Sequence, residues 1–150
     1  MTETVTVRPA EAADAVAVDQ LVASATLPTG GLEQAWLTLV NDDPSGLTGT
    51  ATLERYAGAD GPVFLLRSVA VRTDRRGTGL GSALVRAALE AADREAGGHA
   101  VVGLLTDNAA GYYDRFGFEE GVRTALPQAL LASPELSTLC PASARAFLRG

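Results

Sequence analysis

The feature that most constrains this chain is an abrupt change of pattern in its middle. An almost wholly apolar run, residues 63–71 (VFLLRSVAV), gives way to five polar-rich residues and then to three alternating glycines, Gly77, Gly79 and Gly81. A run apolar at nearly every position suits a strand covered on both faces. From residue 79 to about 96 the period becomes helical. Leu80, Leu84, Ala87 and Ala91 share one face, Arg86–Glu90 and Glu90–Arg94 stand at i,i+4 spacing on another, and Gly97-Gly98 stops the helix. The chain is thus committed to a buried strand, a turn and a long helix.

The first N–H groups of such a helix lack intrahelical partners, and its dipole favours negative charge. Glycines let a ligand approach the backbone, and Arg76, with Arg72 and Arg75 nearby, adds charged donors. The segment reads as a phosphate or pyrophosphate site. The glycines alone would equally suit a flexible loop with an exposed Arg cluster; the strand–Arg–glycine–helix context favours the ligand. A dinucleotide fingerprint needs G-x-G-x-x-G in a tight turn, whereas here the spacing is G-x-G-x-G after a five-residue lead.

Composition narrows the field further. All 12 basic residues are Arg and none is Lys, which excludes a Walker-type phosphate loop, a Schiff-base mechanism and a pyridoxal-phosphate anchor. A formal net charge of −6 argues against a nucleic-acid partner, which needs a basic footprint. No apolar run approaches the ~20 residues that span a bilayer, and the N-terminus lacks a signal-peptide pattern, so no membrane partner and a cytoplasmic location are expected. The single Cys140 and single His99 form neither a disulfide nor a metal site by themselves. Cys140 reads as a small buried apolar residue and His99 as a surface residue.

Without repeats or low-complexity linkers, residues 1–150 are expected to form one domain. A strand over 4–8 ends at Pro9, and a helix over 10–25 has Val16, Leu21, Val22 and Ala25 at helical spacing. Residues 27–31 break it, and 32–36 suit a short second helix. Strands follow over 36–40 and 47–56, separated by a cluster of turn formers, and then comes the strand 63–71. After the long helix, a strand over 100–105, a short helix over 109–116 and a strand over 118–123 are expected. A short helix over 127–132 follows, and 144–148 reads as a final edge strand. Hairpins joined to one crossover unit indicate a mixed α/β sheet.

The stretch VAVRTDRRGTGLGSALV resembles motif A of the GNAT superfamily of N-acetyltransferases, whose signature is R/Q-x-x-G-x-G/A; Arg76, Gly79 and Gly81 match it. Asn108-Ala109-Ala110-Gly111-Tyr112-Tyr113-Asp114-Arg115-Phe116-Gly117-Phe118 resembles the second hallmark, an Asn followed by a helix ending in F/Y-Y-x-x-x-G-F, with Tyr113 on its Tyr. Thr73 departs from the family, which often has Pro there. The likeness extends from residue 5 to about 123. It implies an α/β (α+β) GNAT fold: a mixed, mostly antiparallel sheet of about six to seven strands, with helices on both faces. It implies acetyl-coenzyme A as co-substrate, no metal, and a tendency to pair as a homodimer. On this resemblance, Arg76, Gly77, Thr78, Gly79, Leu80, Gly81 and Ser82 hold the pyrophosphate, Val69 and Val71 lie along the pantetheine arm, and Asn108 contacts the cofactor. Tyr113 would protonate the departing thiolate.

The reaction implied is attack of an amine on the acetyl thioester. The amine must lose a proton, the oxyanion must be stabilised and the thiolate must gain a proton. A backbone N–H near Val69 or Val71 is the implied oxyanion donor. Glu54, on one strand face with Thr50, Thr52 and Tyr56, is a candidate base, as is a water chain. Strict alternation sets Arg67 and Ser68 on opposite faces. Arg67 suits a substrate carboxylate, and it equally suits a structural ion pair with Glu54.

A narrower likeness, to the arsenic-resistance N-acetyltransferase branch, rests on residues 27–32, Leu53-Glu54-Arg55-Tyr56, Leu65-Leu66-Arg67-Ser68 and residues 139–144. Tyr113 differs from the Phe found in some of that branch. This likeness points to a small acidic amino-acid-like toxin of the arsinothricin or phosphinothricin type, with Arg67, Glu54 and Tyr56 as its contacts. The rival readings are a GNAT-fold module that binds acyl-coenzyme A without turnover, as a sensor or partner subunit, and a protein N-acetyltransferase.

Overall fold

The computed structural model describes residues 6–25, 35–106, 110–121, 126–131 and 145–150. In chain order the strands are β1 (Arg8–Pro9), β2 (Leu37–Asp43), β3 (Gly46–Gly58), β4 (Gly61–Val71), β5 (Val101–Thr106), β6 (Glu119–Gly121) and β7 (Arg145–Arg149). The helices are α1 (Ala15–Ser24), α2 (Leu80–Ala96) and α3 (Gln128–Leu131). The strands form one seven-stranded sheet in the order β1-β2-β3-β4-β5-β7-β6. Every described pair is antiparallel except β4–β5. That one parallel pair requires a crossover, and α2 supplies it. The mixed, mostly antiparallel α/β sheet expected from the sequence is the one observed.

Most elements lie where the sequence pattern puts them, and the differences have local causes. β2 runs to Asp43, not Val40, because Asn41 and Asp42 pair with Gly49 and Leu47 across the hairpin. The Asp43 carboxylate closes the turn by accepting from the Ser45 N–H at 2.8 Å. α1 begins at Ala15 after a 3₁₀ turn over Ala12–Asp14. Its buried residues are Val18, Leu21 and Val22, while Val16, two positions from Val18 and so ~200° around the helix, is 68% exposed. Arg145–Arg149 is an interior strand rather than an edge, with Ala146 and Phe147 buried on opposite faces. The expected helix over 109–116 is a 3₁₀ segment, Ala110–Phe116. The expected helix over 32–36 falls largely outside the described residues, as does Cys140.

Alternation divides the sheet's residues between two cores. Leu39, Ala51, Leu53, Phe64, Leu66, Val102 and Phe147 pack with Leu80, Leu84, Val85, Ala88 and Leu89 of α2. On the opposite face, Val63, Leu65 and Ala146 meet Leu126 and Leu130 at α3, and Val40 meets Val18 and Val22 of α1. Gly49 is a consequence of the first core. A Cβ there would stand 2.7 Å from Leu84 Cδ1 and 3.1 Å from Leu80 Cδ2, so the missing side chain lets the start of α2 lie close on β3.

The far end of α2 is tied to the sheet by charge. Arg149 donates from both terminal nitrogens to Asp93, at 2.9 and 3.0 Å, and also to the Ala100 carbonyl at 3.1 Å. Asp93 in turn accepts the Ala100 N–H at 2.9 Å. The Arg149 guanidinium, with the Ala100 N–H adding to it, holds the Asp93 carboxyl below the ordinary Asp range. A depressed carboxylate stabilises the fold above its unfolded-state pKa and loses that contribution as pH falls through the folded value. Asp93→Asn should therefore lower unfolding free energy by about 1–2 kcal/mol at pH 7, since Asp93 is partly solvated. The difference from wild type should shrink as denaturant titrations move below about pH 4. A difference that is the same at pH 7 and pH 3 would contradict this.

Candidate active site

The site begins with a defect in the sheet. Thr52 pairs with Arg67 and Thr50 with Ala70, so Ser68 and Val69 of β4 together face Ala51 alone on β3. This is a β-bulge. Ser68 has φ 58°, the one non-glycine residue with positive φ among the described residues. A left-handed conformation costs a non-glycine residue roughly 1–2 kcal/mol, so the surrounding packing must hold it in place. The bulge also breaks the alternation expected for β4. Arg67 and Ser68, instead of facing opposite ways, are bonded to each other, Arg67 Nε donating to Ser68 Oγ at 3.2 Å.

Just before the bulge, β4 leaves β5. Their parallel pairing covers Val63–Val101, Phe64–Val102 and Leu65–Gly103 and ends there, although β5 continues to Thr106 and β4 to Val71. The strands therefore part along residues 66–71, the stretch that contains Val69 and Val71. Both valines are partly buried and pack against the α2-side core.

The parting strand leads into the glycine turn. A 3₁₀ turn, Thr73–Arg75, precedes Gly77 (φ 80°) and Gly79 (φ 86°). Nothing lies within 4 Å of a Cβ built on either, so these two glycines are required by backbone conformation and not by space. Gly79 caps α2 in the left-handed region, and the first intrahelical bond runs from Ala83 N to Gly79 O at 3.1 Å. The N–H groups of Leu80, Gly81 and Ser82 precede that bond and have no partner within the helix. Gly81 differs from the other two: a Cβ would meet the Tyr112 hydroxyl at 3.1 Å and Val71 Cγ2 at 3.5 Å. Thr78 closes the turn by donating to the Arg75 carbonyl at 2.6 Å.

The three arginines of the turn do not act alike. Arg72 grips Asp74 at 2.6 and 3.0 Å and donates to Ser45 Oγ at 3.0 Å, and Arg75 pairs with Asp43. The Asp74 carboxyl is held low by the Arg72 guanidinium, and that of Asp43 by hydrogen bonds from Ser45. Arg72 and Arg75 thus clamp the turn to the β2–β3 hairpin. Arg76 is exposed, bonds through Nε to the Val71 carbonyl at 3.3 Å, and has no carboxylate partner among the described residues.

The second hallmark segment runs beside this turn. Tyr113 is buried, edge-on to Tyr112 at 5.2 Å and to Phe118 at 5.9 Å. The Tyr112 and Ser82 hydroxyls are hydrogen-bonded at 3.1 Å. Sequence reasoning passed over Tyr112. The signal was available, since adjacent residues on a tight helix point about 120° apart, so a Tyr113 facing the core turns Tyr112 towards a neighbouring element. Asn108 lies outside the described residues.

A family model, Acetyltransferase (GNAT) domain, matches residues 33–120. The chain belongs to this family. No curated protein matches it. Among solved structures, N-acetylglutamate synthase from Neisseria gonorrhoeae, complexed with coenzyme A and N-acetyl-glutamate, superposes with a TM-score of 0.80 at 18% identity over 99% of this chain. The chain spans 35% of that enzyme's length. The protein Rv2747 from Mycobacterium tuberculosis, solved with coenzyme A and a second ligand, gives a TM-score of 0.75 at 22% identity, covering 96% of this chain and 98% of that one. A GNAT family acetyltransferase from Brucella melitensis in complex with acetyl-coenzyme A gives 0.60 at 23% identity, with 77% and 83% covered. These likenesses establish the shared fold.

The other side of this GNAT sheet holds a buried polar cluster. Arg67 and Glu54, 3% and 5% exposed, are paired at 3.1 Å, and the Tyr56 hydroxyl donates to the second Glu54 oxygen at 2.5 Å. Thr50 and Thr52 are buried on the same strand face. The ion pair that the sequence left as one of two readings for Arg67 is therefore formed. Among the described residues no group of three or more His, Cys, Asp or Glu is placed to hold a metal, and His99 is exposed in the α2–β5 connection.

Removing Arg67 takes its ion-pair partner from the buried Glu54 carboxylate. Arg67→Met should cost about 3–5 kcal/mol, and Arg67→Met with Glu54→Leu should cost clearly less than the sum of the single changes. Chemical denaturation of the four proteins measures this; strict additivity would show that the pair is not coupled.

Proposed function

We propose that this chain transfers an acetyl group from acetyl-coenzyme A to the amine of a small acidic amino-acid-like molecule in the cytoplasm. The observation that carries this reading is continuity. The parting of β4 from β5 leads without interruption into a glycine turn and a helix start whose N–H groups have no intrahelical partner. Such a helix start, with Arg76 beside it, suits the cofactor pyrophosphate over Gly77–Ser82. A strand that leaves its neighbour offers backbone groups to an extended pantetheine arm along Val69 and Val71.

The chemistry then divides among named residues. The acceptor amine loses a proton to Glu54 or to water, its nitrogen attacks the thioester carbon, and a backbone N–H by the bulge supports the oxyanion. Collapse of the intermediate breaks the C–S bond, and Tyr113 gives its proton to the thiolate. Glu54 and Arg67, side by side with Tyr56, match the opposite charges of an amino acid's ammonium and acid groups, an exchange of partners that favours a charged acceptor over a neutral one. The likeness to the arsenic-resistance branch supports an arsinothricin- or phosphinothricin-type acceptor. Of its four segments, residues 53–56 and 65–68 contain this pair, while 27–32 and 139–144 lie outside the described residues. On the same fold, the Neisseria gonorrhoeae enzyme was solved with N-acetyl-glutamate, an acetylated acidic amino acid.

A thiol-release assay with acetyl-coenzyme A and an acceptor panel tests the proposal. Turnover should appear with phosphinothricin, arsinothricin or glutamate and be weaker with amines that carry no acid group. Saturable cofactor binding without release for any acceptor would instead make the chain an acyl-coenzyme A sensor, and release with peptides alone would make it a protein N-acetyltransferase.

Two variants test the roles. Tyr113→Phe should lower kcat by about 10- to 100-fold with little change in cofactor KM, and undiminished turnover would remove the acid role. Arg76→Ala should weaken coenzyme A binding by about tenfold in calorimetry, and unchanged affinity would overturn the pyrophosphate assignment.

A further inference from the structure

Two arginines beside the glycine turn are held in place by aromatic rings and, among the described residues, by no carboxylate. Arg86 stands one turn along α2 from Ser82, and its guanidinium lies over the Phe116 ring at 5.5 Å from the centroid. The sequence spacing offers it Glu90, yet it turns to the ring. Arg115 lies over the Tyr112 ring at 4.7 Å. The two rings are themselves neighbours, 5.5 Å between centroids, and the Tyr112 hydroxyl reaches Ser82. Both arginines are exposed, and among the described residues neither has an ion-pair partner.

In a chain with 18 acidic and 12 basic residues, Arg8, Arg55, Arg67, Arg72, Arg75, Arg145 and Arg149 find carboxylates; among the described residues Arg76 and Arg94 do not either, but only Arg86 and Arg115 lie over aromatic rings. A ring beneath a guanidinium restrains the cation without using its N–H donors, which point outward in the guanidinium plane. Arg86 and Arg115 are therefore pre-positioned cations with unused donors. Their complement is a multiply charged anion with several acceptor oxygens, such as a phosphate monoester. Coenzyme A carries one. Besides the pyrophosphate it has a phosphate on the ribose 3′-oxygen, and Arg86 lies four residues, about 6 Å of rise, beyond Ser82, the last residue of the segment where the pyrophosphate is proposed to bind.

We propose that Arg86 and Arg115, laid against Phe116 and Tyr112 beside the first turn of α2, bind the 3′-phosphate of the cofactor and make the protein select coenzyme A over its dephospho form. The inference rests on the donor-site reading given under the proposed function. It assigns a task to the 3₁₀ segment Ala110–Phe116 that differs from the acid role of Tyr113. This segment carries one guanidinium on Tyr112 and supplies the ring that steadies the other.

Calorimetry with coenzyme A and 3′-dephospho-coenzyme A separates the possibilities. Wild type should bind coenzyme A about tenfold more tightly than the dephospho form, with a steeper loss of affinity as salt rises. Arg86→Ala and Arg115→Ala should each weaken coenzyme A by about three- to tenfold and leave dephospho-coenzyme A within about twofold of wild type. Arg86→Gln and Arg115→Gln, which keep much of the packing over the rings, should behave the same way, and thermal melts should show all four variants folded. Equal binding of the two cofactor forms by wild type would overturn the 3′-phosphate assignment, as would variants that weaken both forms alike. If neither form binds wild type at all, the donor-site reading itself fails and this subsite falls with it.

Discussion

The geometry of the candidate site turns on the conformation of one residue, Ser68. Its left-handed backbone inserts an extra residue into β4 opposite Ala51, and a strand carrying such a bulge twists and turns away from its regular path. The effect reaches in both directions. Before it, β4 loses its parallel partner after Leu65. At it, two consecutive side chains that would otherwise be separated by the sheet meet at 3.2 Å. Beyond it, Val71 delivers the chain to the glycine turn. The strain is offset by burial on both faces, with Leu66 against the α2 core and Leu65 against α3.

Charge follows the same division. At the turn, carboxylates of the β2–β3 hairpin and of Asp74 take up Arg72 and Arg75, which fixes the loop while leaving Arg76 outside the network. What looked like a cluster of three phosphate-binding arginines is thus a clamp of two with one exposed donor. On the other face, Arg67 and Glu54 neutralise one another inside the sheet, where a single uncompensated charge would be prohibitive. An acidic chain can hold an anion site only where its cations escape such pairing; among the described residues Arg76, Arg86, Arg94 and Arg115 do so on or beside α2, and of these Arg76, Arg86 and Arg115 lie towards its N-terminal end or against the Tyr112–Phe116 rings.

How much of this was legible in the sequence follows from which interactions are local. The buried strand, the turn and α2 were readable because period, glycine spacing and capping act within a few residues. The family followed from the same segment, and the matching family model spans it. The places where reading failed depend on partners far along the chain. Alternation set Arg67 and Ser68 on opposite faces, and only the pairing with β3 shows the bulge that cancels it. β7 read as an edge strand because its interior position depends on β6 and β5, which flank it. Tyr112 was overlooked because the reading followed motif position and left out the neighbouring helix that its hydroxyl meets.

The two halves of the site differ in kind, and this sets where specificity can arise. Around the turn the groups available to a ligand are backbone N–H donors and exposed arginines, which cost little to keep ready and would suit phosphates in the right places. The Arg67–Glu54–Tyr56 cluster is the opposite case, with both charges buried and already paired. An acceptor with one charge would break the Arg67–Glu54 pair without replacing it, at a cost that its own contacts would have to exceed. An acceptor with both an ammonium and an acid group can exchange with the pair so that each charge keeps a partner. On the proposed function, the buried pair therefore disfavours singly charged amines, which break it without replacing it, much as a buried hydrogen-bonding site rejects an analogue lacking the matching group.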